Sequence, residues 1–439
     1  MLLFLLALVA LAVARDSFHA PPDGWQNRRP GDILRWRAIE PQFLQRDVHV
    51  HAAYQLLYRT SDVDPNQPSY TTTTVLVPRN AAHDKLVLGS AAQDSNADQC
   101  TPSAGYTYNN NANVLFMIDE YNFLPFLNEG YILSVPDKDG PRNTFAAGPL
   151  EGHMLLDAAR ATLNFDKLGL ANHTRIAGTG YSGGALTASW AAALHPSYAP
   201  ELDIAAWAFG GTPASVETTM NTLNDSPFSG LFVPAIRGVM DAFPDAKHEI
   251  VPHLTTFARD AFELALHICA PDAILRFPFQ DFYSSKYQSK GKHIFDGPAV
   301  QHLFKKLDLA QRPDLIPKAP IFMYHARHDE IVPYNSAHKT AKMWCEHGAD
   351  VHFETLSHIE HGHVTTMITG GMPSFHYIRD TFNGKASSGC RFSTKGSLFF
   401  DPRVLGDSAG NILDGILATF GKVLGPKAGV LKKWRADVH

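Results

Sequence analysis

Arg175-Ile-Ala-Gly-Thr-Gly180-Tyr181-Ser182-Gly183-Gly184-Ala185-Leu-Thr-Ala-Ser-Trp190 decides the fold of this chain. Arg175 to Gly178 reads as a short strand and Leu186 to Leu194 as a small-residue helix, with G-x-S-x-G between them. The glycines have a physical reason. A serine lifted on a sharp strand-to-helix turn has a strained backbone, and its neighbours must lack side chains. The turn raises the hydroxyl and aims the next N–H, that of Gly183, and the helix N-terminus at a developing oxyanion. Ser182 is therefore the candidate nucleophile. A Gly-rich structural turn is the bland alternative.

Strands alternate with helices on either side of this motif. Tyr54 to Leu57, Thr71 to Val77, Lys85 to Gly89 and Tyr131 to Val135 precede it as strands, and Glu151 to Leu163 as a helix. Ile204 to Phe209, Ile321 to Tyr324 and Val351 to Glu354 follow as strands, with Asn335 to His347 helical. The alternation predicts an α/β fold with a mostly parallel sheet covered on both faces. It stops between Thr212 and Pro317. That gap of roughly 100 residues is too long for a simple crossover. It is expected to form a helical cap, and Phe257, Ala261, Phe262 and Leu266 have the spacing for it. The expected organisation is 21–212 and 318–384 for the core, 213–317 for the cap and 385–439 for a C-terminal segment.

An elbow of this kind expects an acid and then a histidine later in the chain. Asp329 follows the strand Ile321 to Tyr324, and Glu330 is a rival carboxylate beside it. Three histidines follow the last strand, in Leu356-Ser-His358-Ile-Glu-His361-Gly-His363. His363 heads a helix and has the loop-to-helix placement a base needs. His361 and His358 are its competitors, and His-x-x-His-x-His also has a zinc-ligand reading. The chain holds 22 His, so chance clustering explains the spacing, and no metal or cofactor is expected.

Composition narrows the class further. With 45% hydrophobic and 18% charged residues and a net charge of −5, the chain is globular and has no footprint for nucleic acid. Leu2 to Ala14 is an apolar run of about thirteen residues, the length of a signal-peptide core and too short to span a bilayer. Ala12-Val13-Ala14 offers cleavage after residue 14, and Ala20 a later site. Asn172-His-Thr and Asn224-Asp-Ser are glycosylation sequons, the second weakened by Pro227. The cysteines Cys100, Cys269, Cys345 and Cys390 allow three pairings; nearness favours Cys345 with Cys390 and leaves Cys100 with Cys269. An extracellular protein without a stable membrane span is expected. In the tail, Ile412, Leu413, Ile416, Leu417, Phe420, Val423 and Leu424 repeat at helical spacing, suiting a lipid-surface helix or a helix packed on the fold.

Several segments together resemble the fungal secretory lipase family, lipase A type. They are Ala53-Tyr-Gln-Leu-Leu-Tyr-Arg-Thr-Ser-Asp62 with Thr73-Thr-Val-Leu-Val-Pro78, Pro136-Asp-Lys-Asp-Gly140, Gly180 to Ala185, and the order of the cysteines. The resemblance covers almost the whole chain after the leader. It implies an α/β-hydrolase with a helical lid, acting on triacylglycerols at an oil–water interface. It implies the pairs Cys100–Cys269 and Cys345–Cys390, and Ser182, Asp329 and His363 at the triad positions. It also implies an oxyanion hole built from the N–H of Gly183 and that of Asp94, in Ala92-Gln-Asp94-Ser95. The family's tail contributes a flap, which the helical spacing of the tail here does not obviously match.

A secreted triacylglycerol lipase is thus the leading expectation. A carboxylesterase or acyltransferase would use the same residues. A serine peptidase has no support beyond the triad order, and an inactive lipid-binding relative would not need that order. Phe228, Leu231, Phe232, Val233 and Ile236 make the cap apolar, as a lid or an ordinary packed cap would be.

Overall fold

The computed structural model describes residues 17–42, 50–108, 114–385 and 388–398. The leader reading at 1–14 and the helical reading of the tail from Asn411 to Trp434 lie outside these residues.

Ten strands form one sheet: β1 (Ile33–Ala38), β2 (Val50–Ser61), β3 (Pro68–Pro78), β4 (Ala82–Ser90), β5 (Tyr131–Pro136), β6 (Arg175–Tyr181), β7 (Ile204–Gly210), β8 (Ile321–Ala326), β9 (Val351–Leu356) and β10 (Arg391–Lys395). Their order is β1-β2-β3-β5-β4-β6-β7-β8-β9-β10. The pairs β1/β2, β2/β3 and β3/β5 are antiparallel and the remaining six are parallel. The central strands are mostly apolar, as suits a sheet covered by helices on both faces. Every residue of β5, β7 and β8 is buried.

Helices α1 (Pro102–Tyr108) and α2 (Val114–Asn128) follow β4, α3 (Gly148–Leu163) follows β5, and α4 (Gly183–Tyr198) follows β6. Six helices fall between β7 and β8: α5 (Val216–Leu223), α6 (Phe232–Ala242), α7 (Pro244–Ile250), α8 (Thr256–Leu264), α9 (Ala270–Arg276) and α10 (Pro298–Lys306). Then come α11 (Tyr334–Glu346), α12 (His363–Thr369) and α13 (Gly371–Phe382). The inserted segment closes on itself. Ser215 pairs with Asp308 in an antiparallel bridge, and the Leu309 N–H donates to Ala214 O at 2.9 Å. Inside it, Phe232 stacks on Phe282 at 4.3 Å, and Phe295 packs on Phe304. The cap thus has its own aromatic centre, which adds dispersion and apolar burial to its seat on the sheet.

The sheet also reaches beyond the expected core. Arg391 to Lys395, in the segment assigned to the tail, pairs in parallel with His352 to Leu356. The Cys345–Cys390 disulfide joins the end of α11 to the residue before that strand, and Cys100–Cys269 joins the loop after β4 to the residue before α9. Both unite segments distant in sequence, which raises the loop entropy removed from the unfolded chain.

Candidate active site

The C-terminal ends of the parallel strands carry the site, as is usual for open α/β sheets. Ser182 stands between β6 and α4 with φ 55° and ψ −122°. A non-glycine residue held there stores about 1–3 kcal/mol of backbone strain. Two glycines make the turn possible. A Cβ on Gly184 would lie 2.1 Å from the carbonyl oxygen of Ser90, and one on Gly180 would lie 2.5 Å from that of Gly184.

His363, the first residue of α12, brings its Nε2 to 2.7 Å from Ser182 Oγ and its Nδ1 to 2.7 Å from Asp329 Oδ2. A carboxylate only accepts, so Nδ1 carries the proton and Nε2 accepts from the serine hydroxyl. Asp329 is itself fixed. Its Oδ1 accepts from the N–H groups of Ile331 at 3.0 Å and Val332 at 2.7 Å, and His325 Nε2 lies 3.2 Å from its Oδ2. Burial pushes the Asp329 carboxyl up, but His363 and His325 outweigh it and hold the pKa well below the usual carboxylate range. Burial likewise pulls the His363 imidazole down, and the facing Asp329 more than offsets it, so its net shift is upward.

The rival residues go elsewhere. Glu330 turns its carboxylate to the start of α12 and accepts the main-chain N–H of His363 at 2.7 Å. His361 is buried and accepts the Leu398 N–H at 2.9 Å; burial lowers its pKa to about 4. His358 is exposed and lies 3.1 Å from Glu360. The three histidines of the zinc reading therefore do not converge. Tyr181 was not singled out from the sequence. Its hydroxyl donates to His363 O at 2.8 Å and its ring lies 5.0 Å from the imidazole.

Gly183 and Asp94 also meet here. A Cβ on Gly183 would strike Asp94 Oδ1. Asp94 is buried with φ 46°, and neither its main-chain N–H nor that of Gly183 has an acceptor among the described residues. Two unpaired amides beside a serine hydroxyl, at a helix N-terminus, are the donors an oxyanion requires. Burial pushes the Asp94 carboxyl up to about 6, against the pull of Lys138. Lys138 is completely buried, 2.8 Å from Asp139 and 3.2 Å from Glu151, and Glu151 also accepts from Thr187 on α4. Lys138 and Asp139 of the loop Pro136 to Gly140 thus form an internal ion cluster with Glu151, tied to α4 through Thr187.

The cavity beside Ser182 measures about 40 Å³, space for a water or two. Leu223 and Leu231 from the cap and Ile331 and Val332 from the acid loop close it. Phe228, Ile274, Val364 and Leu115 pack on these four. A larger cleft of about 660 Å³ lies further along α4, lined by Trp190, Leu194, His153 and Leu303, and shares no lining residue with the first.

The histidine shift fixes a pH dependence. An imidazole that takes the Ser182 proton has to be neutral, and the pKa of His363 is raised. The acid limb of kcat/KM on a soluble ester is therefore expected to have its midpoint above the ordinary histidine value of about 6.5. Glu330→Gln removes one of the charges that raise it and keeps an oxygen acceptor for the His363 N–H. A pH profile of that variant should show the limb moved toward lower pH; an unmoved limb would contradict the role given to Glu330.

Comparison with known proteins gives consistent matches. Residues 108–389 match the family model described as secretory lipase. A secreted triacylglycerol lipase of Malassezia furfur is 54% identical over 417 residues, covering 95% of this chain and 86% of the relative. One from Malassezia globosa is 38% identical over 452 residues, covering 98% of each. Among solved structures, lipase A of Candida antarctica in its closed state aligns with a TM-score of 0.81 and 28% identity, covering 91% of this chain and 94% of that one.

Proposed function

The chain belongs to the secretory lipase family, and from that membership we propose that it is a secreted triacylglycerol lipase working through Ser182, His363 and Asp329. The observation that carries the catalytic part is the continuous chain of 2.7 Å hydrogen bonds from Ser182 Oγ through His363 to Asp329.

In the first half-reaction Ser182 Oγ attacks the ester carbonyl carbon while His363 Nε2 takes the hydroxyl proton. The charge on the carbonyl oxygen faces the N–H groups of Gly183 and Asp94. Asp329 keeps the proton on Nδ1 and stabilises the imidazolium. His363 then protonates the departing glycerol oxygen, and the acyl group stays on Ser182. In the second half His363 Nε2 deprotonates a water, which attacks the acyl carbon; the bond from that carbon to Ser182 Oγ then breaks, His363 returns the proton to Oγ, and the fatty acid leaves. Each step uses main-chain amides and these three side chains.

The cap supports a lipid substrate. The cavity at Ser182 is too small for an acyl chain, so the apolar seam of Leu223, Leu231, Ile331 and Val332 has to part. Parting exposes apolar surface, which is unfavourable in water and favourable at an oil surface. Residues 213–317 thus act as a lid, and activity is expected to rise once the substrate exceeds its solubility. The test compares emulsified triolein with soluble p-nitrophenyl butyrate. Turnover of the emulsion with a jump at the solubility limit is expected. Turnover confined to the soluble ester, with simple saturation, would assign a carboxylesterase instead.

Secretion agrees with the two disulfides, which persist in oxidising compartments. No helix among the described residues is long and apolar enough to cross a membrane. The two sequons differ in access. Asn172 is exposed in a turn, whereas the Asn224 side chain donates to Asp281 at 2.9 Å and accepts from the Phe282 N–H at 2.8 Å. Protein from a glycosylating host is expected to lose a glycan in Asn172→Gln and to keep its electrophoretic mobility in Asn224→Gln. A glycosidase-sensitive shift lost only with Asn224 would reverse this assignment.

A further inference from the structure

The loop that presents the Asp94 amide is tied to the inserted segment around Ala270. Ser95 is buried there, and its hydroxyl works in two directions. It donates to the carbonyl of Gln93 at 2.7 Å and accepts the main-chain N–H of Ala270, the first residue of α9, at 2.8 Å. The two loop residues flanking Asp94 are thus joined to each other and to the cap through one oxygen. The same corner is stapled by the Cys100–Cys269 disulfide, one residue from Ala270, and by Gln99 Nε2 donating to His267 O at 2.9 Å. On the core side, Gln93 Nε2 donates to Asn143 Oδ1 at 3.1 Å, and Asn96 donates to Asn143 O at 2.8 Å. Asp94 itself, at φ 46°, has neither its carboxylate Oδ1 nor its N–H bonded within the described residues. The bonds of Gln93, Ser95 and Asn96 flank its left-handed conformation.

We propose that Ser95 is a positioning residue for the oxyanion hole: its bond to the Ala270 amide, kept in register by the Cys100–Cys269 disulfide, sets the direction of the Asp94 N–H. The corner from His267 to Ala270 then belongs functionally to the catalytic core, although in sequence it lies in the cap. An oxyanion donor acts only at the distance the developing charge requires, so a small swing of this loop costs transition-state binding and leaves ground-state binding unchanged. This role rests on the serine-ester chemistry proposed above.

The test is burst kinetics on p-nitrophenyl butyrate with Ser95→Ala, Ser95→Thr and Cys100→Ser/Cys269→Ser, reading burst amplitude, kcat per titrated site and KM. A residue that only stabilises the fold lowers the amplitude and leaves kcat per site alone. Ser95→Ala is expected to lower kcat per titrated site about tenfold, a fraction of the loss seen when an oxyanion donor is removed outright. KM should stay within twofold, and Ser95→Thr, which keeps the hydroxyl, should recover most of the rate. The double cysteine variant should lose kcat in the same sense, and adding Ser95→Ala to it should lower the rate by less than in the wild type. It also stands in if Ser95→Ala does not fold. A kcat per site within twofold of wild type in both Ser95→Ala and the cysteine variant overturns the positioning role. Wild-type turnover that survives in Ser182→Ala would overturn the serine-ester reading itself, a distinct result.

Discussion

Ser182→Ala is expected to lower kcat for ester hydrolysis about a millionfold, the scale seen when a triad serine or histidine is lost. Alanine inherits the same strained φ, and the loss of one hydroxyl removes a single hydrogen bond to His363. The melting temperature should therefore stay within a few degrees of wild type, since a change of about 1 kcal/mol moves a large domain by only about 2–4 °C. Rate and melting temperature measured on the same sample separate the two effects. A variant that keeps measurable turnover, once contaminating wild type is excluded by titration, would mean that another group attacks the ester.

The second large effect separates two adjacent carboxylates. Asp329→Asn is expected to reduce kcat about ten-thousandfold, because an amide facing Nδ1 favours the wrong imidazole tautomer. The amide oxygen can still accept from the Ile331 and Val332 amides, so the loop should hold. Glu330→Gln, one residue away, is expected to cost less than tenfold, since its oxygen accepts the His363 main-chain N–H and not an imidazole N–H. The two variants assayed side by side on p-nitrophenyl butyrate give the contrast. Equal losses would mean that Glu330 shares the orienting role.

The contrast also shows which features are legible in a linear chain. Ser182 was readable because its constraint is local: the glycines must flank it wherever the fold places it. Asp329 and His363 followed from chain order and from their positions after apolar runs that the structure forms as β8 and β9. The orientation of Glu330 was not readable, because its partner is a main-chain N–H supplied by α12. Tyr181 sits inside the motif itself, yet its hydroxyl finds a carbonyl 182 residues away. Lys138 and Asp139 stand in a segment that carries the family resemblance, but nothing in the sequence sets Glu151 against them. Only the packing of α3 and α4 over them turns them into a buried cluster.

The same logic explains the strands. Central strands β5, β7 and β8 are buried along their whole length because both faces are covered, and their mostly apolar runs stand out. The edge strands β1 and β10 do not, because exposed and half-buried residues mix along both; Arg391-Phe-Ser-Thr-Lys395 sets one aromatic among charged and small polar groups. The cap announced itself as an interruption of the βα alternation. Its internal order of six helices depends on contacts such as Phe232 on Phe282, whose partners lie far apart in sequence.

In the proposed mechanism Ser182 carries the acyl group. The direct measurement is acid-quench mass spectrometry of the enzyme during turnover of p-nitrophenyl butyrate, followed by peptide mapping. The account predicts one butyryl group per active enzyme, on the peptide and residue of Ser182, and none in Ser182→Ala. A butyryl group on any other side chain, or full turnover with no covalent intermediate under single-turnover conditions, would contradict it.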